Sequence, residues 1–141
     1  MSWEGVNYLA IVLAAVSSFM FGGVWYGLLS TQWLAAANIR LEDLQKAKGA
    51  ATAAPYVIAF VAQLVMALFL AGLLGHLGSG QVTASNGMIT AASVWAGFVA
   101  TSLTVNHAFQ GAKKELTLID AAHWLGVLLI QGAVIGWMGV G

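Results

Sequence analysis

Arg40-Leu41-Glu42-Asp43-Leu44-Gln45-Lys46-Ala47-Lys48 stands between two hydrophobic stretches, each long enough to cross a bilayer, and it holds three of the five basic residues in the chain. Lys113 and Lys114, the other two, form a second basic link between two further stretches of the same kind. Short loops rich in Lys and Arg stay on the cytoplasmic side of a membrane, so both basic links are assigned there. The spans are expected at 5–29, 55–77, 86–109 and 118–140. Both termini and the Gly78-Ser79-Gly80 link then face outward. The expected fold is all-α and integral to the membrane: four transmembrane helices in an up-and-down bundle, forming one domain over residues 1–141.

Composition supports this reading. Hydrophobic residues make up 60% of the chain and charged residues 7%, where soluble domains carry about a quarter charged. Four spans of roughly 20 residues each leave little chain for a separate soluble domain. The formal net charge is zero, and without a basic stripe interleaved with aromatics nucleic acid is not an expected partner. The absence of cysteine removes disulfides and thiolate chemistry. Met1 to Glu4 carries an acid and no base, so the first stretch reads as a retained anchor rather than a signal peptide.

Aromatic residues mark the expected interfaces. Trp3, Tyr8 and Trp137 fall at the outer level, and Trp25, Tyr26, Trp33 and Tyr56 at the inner one. Pro55 suits a first helical turn, where its missing N–H is no loss. In the first basic link, Glu42 and Lys46 have helical spacing for an ion pair and Gly49 is placed to end the helix. A short interfacial helix is expected there.

Apolar side chains gain nothing by leaving lipid for one another, so helices in a bilayer associate through small residues and hydrogen bonds. Ala14, Ser18 and Gly22 repeat every four positions on the first span, followed by the pair Gly23 and Gly27. Gly97 lies on a small, hydroxyl-rich side of the third span with Ser93, Ala100, Thr101 and Thr104. Gly132, Gly136 and Gly139 cluster on the fourth. These positions are expected to serve helix packing or a homo-oligomer interface, and Leu at Gly132 and Gly136 is expected to break an oligomer while leaving the monomer inserted.

Polar groups inside a membrane are costly, which makes them the place to look for a site. Asp120, His123, Trp124, Val127 and Gln131 share one face of the fourth span, within about 60° of Asp120 at roughly 100° per residue. Asn106 and His107 end the third span, and Trp25 and Tyr26 the first, on the same side of the membrane. These seven residues (Trp25, Tyr26, Asn106, His107, Asp120, His123 and Gln131) form the expected polar or ligand site near the cytoplasmic face. His107, Asp120 and His123 are also candidate metal or proton-handling groups. The competing reading, which is preferred, makes Thr117-Leu118-Ile119-Asp120 a capping box and His123 an interfacial ring, with no metal and no cofactor. Gln63 and Gln131 read as interhelical clamps, at depths of about 12 Å and 20 Å from the inner ends, too different for them to be assumed partners. His76 reads as solvated.

Phe21-Gly22-Gly23-Val24-Trp25-Tyr26-Gly27, Gln32-Trp33, Asn106-His107-Ala108-Phe109 and Gln131-Gly132-Ala133-Val134-Ile135-Gly136 together resemble one bacterial family, domain-of-unknown-function family 1761. The resemblance implies a small four-span membrane protein and brings no activity with it. In that family's pattern the position of Asp120 is often an amide and that of His123 often another aromatic. Trp25, Tyr26 and Asn106 are then the better candidates for a shared role.

No catalytic motif is present, and an enzyme is not expected. Four-span multidrug exporters rely on a first-helix Glu inside the bilayer, whereas Glu4 sits at the outer end. Two readings remain: small-solute or ion binding or permeation by a homo-oligomer in the bacterial cytoplasmic membrane, or assembly with membrane-protein partners through the Gly faces.

Overall fold

The structure, a computed structural model, describes residues 5–46 and 49–141. Trp3, Glu4 and Lys48, to which the sequence assigns places at the two interfaces, lie outside that range. Seven α-helices and one π-helical segment follow in order: α1 (Tyr8–Leu28), α2 (Ser30–Ala37), α3 (Leu41–Lys46), α4 (Ala50–Gly75), α5 (Ala84–Val94), the π segment Trp95–Val99, α6 (Ala100–Gln110) and α7 (Lys114–Met138). Four stretches are long and apolar enough to cross a membrane: Tyr8–Leu28, Thr52–Gly75, Ala84–Gln110 and Lys114–Met138. The last three are each longer than the sequence suggests or begin earlier.

The start of α1 and the end of α7 are tied together. Asn7 caps α1 by accepting the Ala10 N–H at 3.1 Å, while its amide donates to the carbonyls of Met138 and Gly139 at the end of α7. The Asn7 N–H also donates to Val140 at 3.0 Å. One side chain thus satisfies an orphan donor at a helix start and carbonyls at another helix end. At the other end of the bundle the two basic links meet, where the Lys113 ammonium donates to the Ala35 carbonyl at 3.1 Å.

α7 is the central helix, touching α1, α4 and the third span. Its tightest partner is α5, where Gly87 and Gly132 face each other backbone to backbone, and a Cβ on either would run into the other's carbonyl. Gly136 lies as closely against the Thr83 carbonyl. Elsewhere the core is made of Ile11, Ala14, Ala67, Leu70, Leu74, Ala91, Leu128 and Ile135. Small residues stand where the backbones approach most closely, because dispersion there replaces the hydrophobic drive that lipid removes. The outer surface carries exposed Leu9, Met20, Ile58, Phe69, Phe98 and Trp137, as a lipid-facing surface does.

Local expectations are corrected at four places. Pro55 lies inside α4, its sixth residue rather than in its first turn, because the Ala-rich run from Ala50 extends the helix backwards. Gly49, at φ +64°, is the N-cap of α4 and not the end of α3. α3 forms over Leu41–Lys46, but no ion pair joins Glu42 to Lys46 among the described residues. α7 starts one turn early, with Lys113 extended at its N-cap, so Thr117 lies within the helix and the capping box does not form. Further, the link after the first span is helical: Leu29 makes a bend, and α2 continues from it.

Candidate functional site

Three helices converge on the buried centre of the bundle. Ser18 of α1, Gln63 of α4 and Gln131 of α7 are 0%, 2% and 0% exposed. The Gln131 amide donates to the Ser18 hydroxyl at 3.1 Å and to the Gln63 backbone carbonyl at 3.0 Å, and the Ser18 hydroxyl lies 2.7 Å from the Gln63 side-chain oxygen it faces as donor. The two glutamines, read from sequence as separate in depth, are joined. Counting from helix starts does not give their relative depth: α4 and α7 both begin earlier than the sequence suggests, and it is the direct bond from the Gln131 amide to the Gln63 carbonyl that sets the two at one level. The Gln131 side-chain oxygen is buried without a partner among the described residues.

Nearer the basic links, a second polar cluster is assembled by aromatic side chains. The Trp25 indole N–H donates to the Ile119 carbonyl at 3.1 Å, and the Trp95 indole N–H to the Ala121 carbonyl at 2.8 Å. These two rings reach α7 from α1 and from the third span, using second lone pairs of helix carbonyls. Tyr26 donates its hydroxyl to Asp120 at 2.7 Å. The other Asp120 oxygen lies 3.9 Å from His107 Nε2, and His107 Nδ1 is 2.8 Å from the Thr117 hydroxyl. A chain of polar groups therefore runs Tyr26, Asp120, His107, Thr117. An Nε2–H tautomer suits it, since that ring nitrogen faces the carboxylate and Nδ1 then accepts from Thr117.

His123 belongs to a different layer. It is 5% exposed, with ring centroids 4.8 Å from Tyr26, 4.7 Å from Trp124 and 6.2 Å from Phe21, the last stacked at 7°. Its Nδ1 has no hydrogen-bond partner among the described residues. Phe21 in turn covers Gly126, where a Cβ would collide with the ring. Sequence reading missed Phe21, Gly126, Gly87 and Trp95. The spacing of Gly22, Phe21, Gly126 and His123 across two helices becomes visible only once the helices are aligned.

Of the seven residues expected in one polar site, Trp25, Tyr26, His107 and Asp120 come together, with His123 beside Tyr26. Asn106 is exposed, with no hydrogen bond joining it to the cluster among the described residues, and Gln131 belongs to the central clamp, about three turns along α7 from Asp120. Among the described residues no group of three or more His, Asp or Glu is placed to hold a metal. Of the expected packing residues, Ala14, Ser18 and Gly22 are buried on α1, while Gly23, Gly27 and Gly97 are exposed with open space around them. Gly139, at φ +90°, ends α7. Gly132 and Gly136 are buried within this chain, so Leu there would disrupt the bundle itself and not an oligomer alone.

The third span carries a π segment beside this cluster. The π segment closes with the Ala100 N–H bonded to the Trp95 carbonyl, and beyond it Thr101, Ser102 and Thr104 donate to carbonyls four residues back on their own helix. Inserted residues and hydroxyl back-bonding both bend helices. Tightly packed along α5, the span loosens from α7 along α6. The gap is a cleft of about 470 Å³ lined by Thr104, His107 and Ala108 of α6 and by Lys114, Thr117 and Leu118 of α7, with Ala112 at its end. Small-molecule sites commonly occupy about 300–1,000 Å³.

The family described as "Protein of unknown function (DUF1761)" matches residues 9–136. The chain belongs to the DUF1761 family. The match takes in both polar clusters and the cleft, so the site described lies within the family's extent. No curated protein and no solved structure matches this DUF1761 member. It is a multi-pass membrane protein by its four spans, and the family brings no activity to it.

Proposed function

We propose that this protein binds a small amphipathic solute in the cleft between α6 and α7, within a bacterial cytoplasmic membrane, with its termini outside. One observation carries the reading: the cleft sets an apolar wall beside the Lys114 ammonium, next to the closed Tyr26–Asp120–His107–Thr117 chain, giving an apolar body a place and a polar head a partner. Binding is favoured over conduction through a single chain, because Ser18, Gln63 and Gln131 close the bundle centre with mutual hydrogen bonds. The orientation rests on the placement of Arg40, Lys46, Lys113 and Lys114 at one end of the bundle. Thermal unfolding of the purified protein with hexanoate as the probe tests the proposal. A rise in Tm for the parent that disappears in Ala112→Trp, which fills the cleft, supports it; an equal rise in both removes the cleft as the site.

Assembly is the second reading, favoured by the exposure of the third span. Only 6% of that span's most apolar window is buried, against 28–33% for the others, leaving most of its surface available to a second copy. A monomer mass in lipid nanodiscs would count against a homo-oligomer.

A further inference from the structure

We propose that the occupant of the α6–α7 cleft is an anionic phospholipid, its phosphate against Lys114 and the start of α7 and its acyl chain along the groove toward Leu118. The proposal deepens the solute-binding reading and rests on it. Three features select this chemistry. The cleft wall is mainly apolar, with Ala108, Ala112 and Leu118 beside Thr104 and Thr117, and Leu118 is 70% exposed. A ligand can therefore enter sideways from the bilayer.

Charge is concentrated at one end. Lys114 lines the cleft at the first position of a 25-residue helix whose N-cap, Lys113, makes no side-chain cap. The opening N–H groups of a long helix carry partial positive charge and favour an anion. Glu115, in the same turn, offsets one cation, and Lys113 adds a second while also donating to Ala35. Basic pockets between transmembrane helices at the membrane surface are the usual seat of anionic headgroups.

Hydrogen-bonding capacity argues against a polyhydroxylated or cationic guest. The Thr104 hydroxyl proton is committed to Ala100, and Thr117 is engaged with His107, so neither is free to donate to a sugar. Lys114 would repel a cation. What remains is one anionic contact and an apolar wall.

The test uses the full chain in nanodiscs of phosphatidylcholine with a minority of phosphatidylglycerol, released into native mass spectrometry. Retained phosphatidylglycerol in excess of its bilayer share is expected. Lys114→Gln should lower that retention about fivefold, the equivalent of about 1 kcal/mol per basic residue beside an anionic surface. Lys46→Gln, at the same end but outside the cleft, should leave it unchanged. Ala112→Trp should abolish it, and Ala108→Leu serves the same purpose if the tryptophan variant does not fold. Equal retention of both lipids, or equal losses from Lys46→Gln and Lys114→Gln, overturns the proposal. Hexanoate stabilisation without lipid retention overturns the lipid while leaving solute binding standing; loss of both removes the site.

Discussion

His123 Nε2 lies 2.8 Å from where a Cβ on Gly22 would stand, so the imidazole of α7 rests directly on the backbone of α1. The contact is reciprocal in form, since Phe21, next in sequence to Gly22, covers Gly126, three residues past His123. Each helix supplies one ring and one glycine. The two rings stack on each other at 7°.

A methyl group at Gly22 must displace the His123 ring, and overpacking of this kind costs about 1–3 kcal/mol. Gly22→Ala should therefore lower the Tm, and His123→Ala should lower it as well by leaving a cavity. Combined, the two changes should cost less than their sum, because the new methyl then meets empty space. Additive losses in a double-mutant cycle would mean the ring and the glycine do not meet.

Removing the Tyr26 hydroxyl strands one Asp120 oxygen that is partly buried. Tyr26→Phe should destabilise by about 1–3 kcal/mol, the range for a polar group left without its partner. Asp120→Asn should be far milder, since an amide oxygen still accepts from Tyr26. Chemical unfolding of the two variants decides this. Greater loss from Asp120→Asn than from Tyr26→Phe would show that the ionised carboxylate, through His107, matters more than the Tyr26 bond.

In the central clamp, Ser18→Ala and Gln131→Leu remove groups that touch each other. Interhelical hydrogen bonds inside membranes average about 0.6 kcal/mol and reach about 1.7. Each single change should fall in that range, with Gln131→Leu partly compensated because it also removes the unpartnered side-chain oxygen. The pair should be coupled. Full additivity would separate Ser18 from Gln131.

Length, hydropathy and the two basic links make the four spans legible in the sequence, because a bilayer demands long apolar helices and leaves charge only at their ends. The family resemblance is legible too, from the Gly-x-x-Trp-Tyr-Gly segment and the motifs of the third and fourth spans. Helix starts are less legible. Pro55 and Thr117 are strong local signals for a first turn, yet extending the helix satisfies more backbone groups, and the Ala-rich run before Pro55 and the Lys-Glu-Leu run before Thr117 accept helix at little cost. The convergence of Trp25, Tyr26, His107 and Asp120 follows from shared depth and side, which periodicity supplies. The exclusion of Asn106 and the cleft itself do not, because both depend on how loosely α6 packs on α7 after the π segment at Trp95–Val99, and neither has a sequence signature. Glycine is the hardest case. Gly132 and Gly97 look alike in sequence, and only the approach of Gly87 distinguishes them.

Gly132→Ala should accordingly be costly and Gly97→Ala nearly silent. At Gly132 the new Cβ meets the backbone of Gly87, which cannot rotate away, whereas at Gly97 it meets nothing within 4 Å. Loss of several degrees in Tm for the first and little change for the second is the expected result in detergent. Equal effects would mean that α5 and α7 are farther apart than the Gly87–Gly132 contact requires.

Orientation is testable directly because the chain has no cysteine to remove. Ser79→Cys and Lys46→Cys place single thiols in links at opposite ends of the bundle, both exposed. In intact bacterial cells a membrane-impermeant maleimide should label the first and spare the second, and permeabilised cells should label both. The contrast follows from the basic residues: Arg40, Lys46, Lys113 and Lys114 share one end, and moving each across a membrane potential costs about 2.3 kcal/mol per 100 mV. Labelling of Lys46→Cys alone in intact cells would invert the bundle and place the mouth of the α6–α7 cleft at the outer surface.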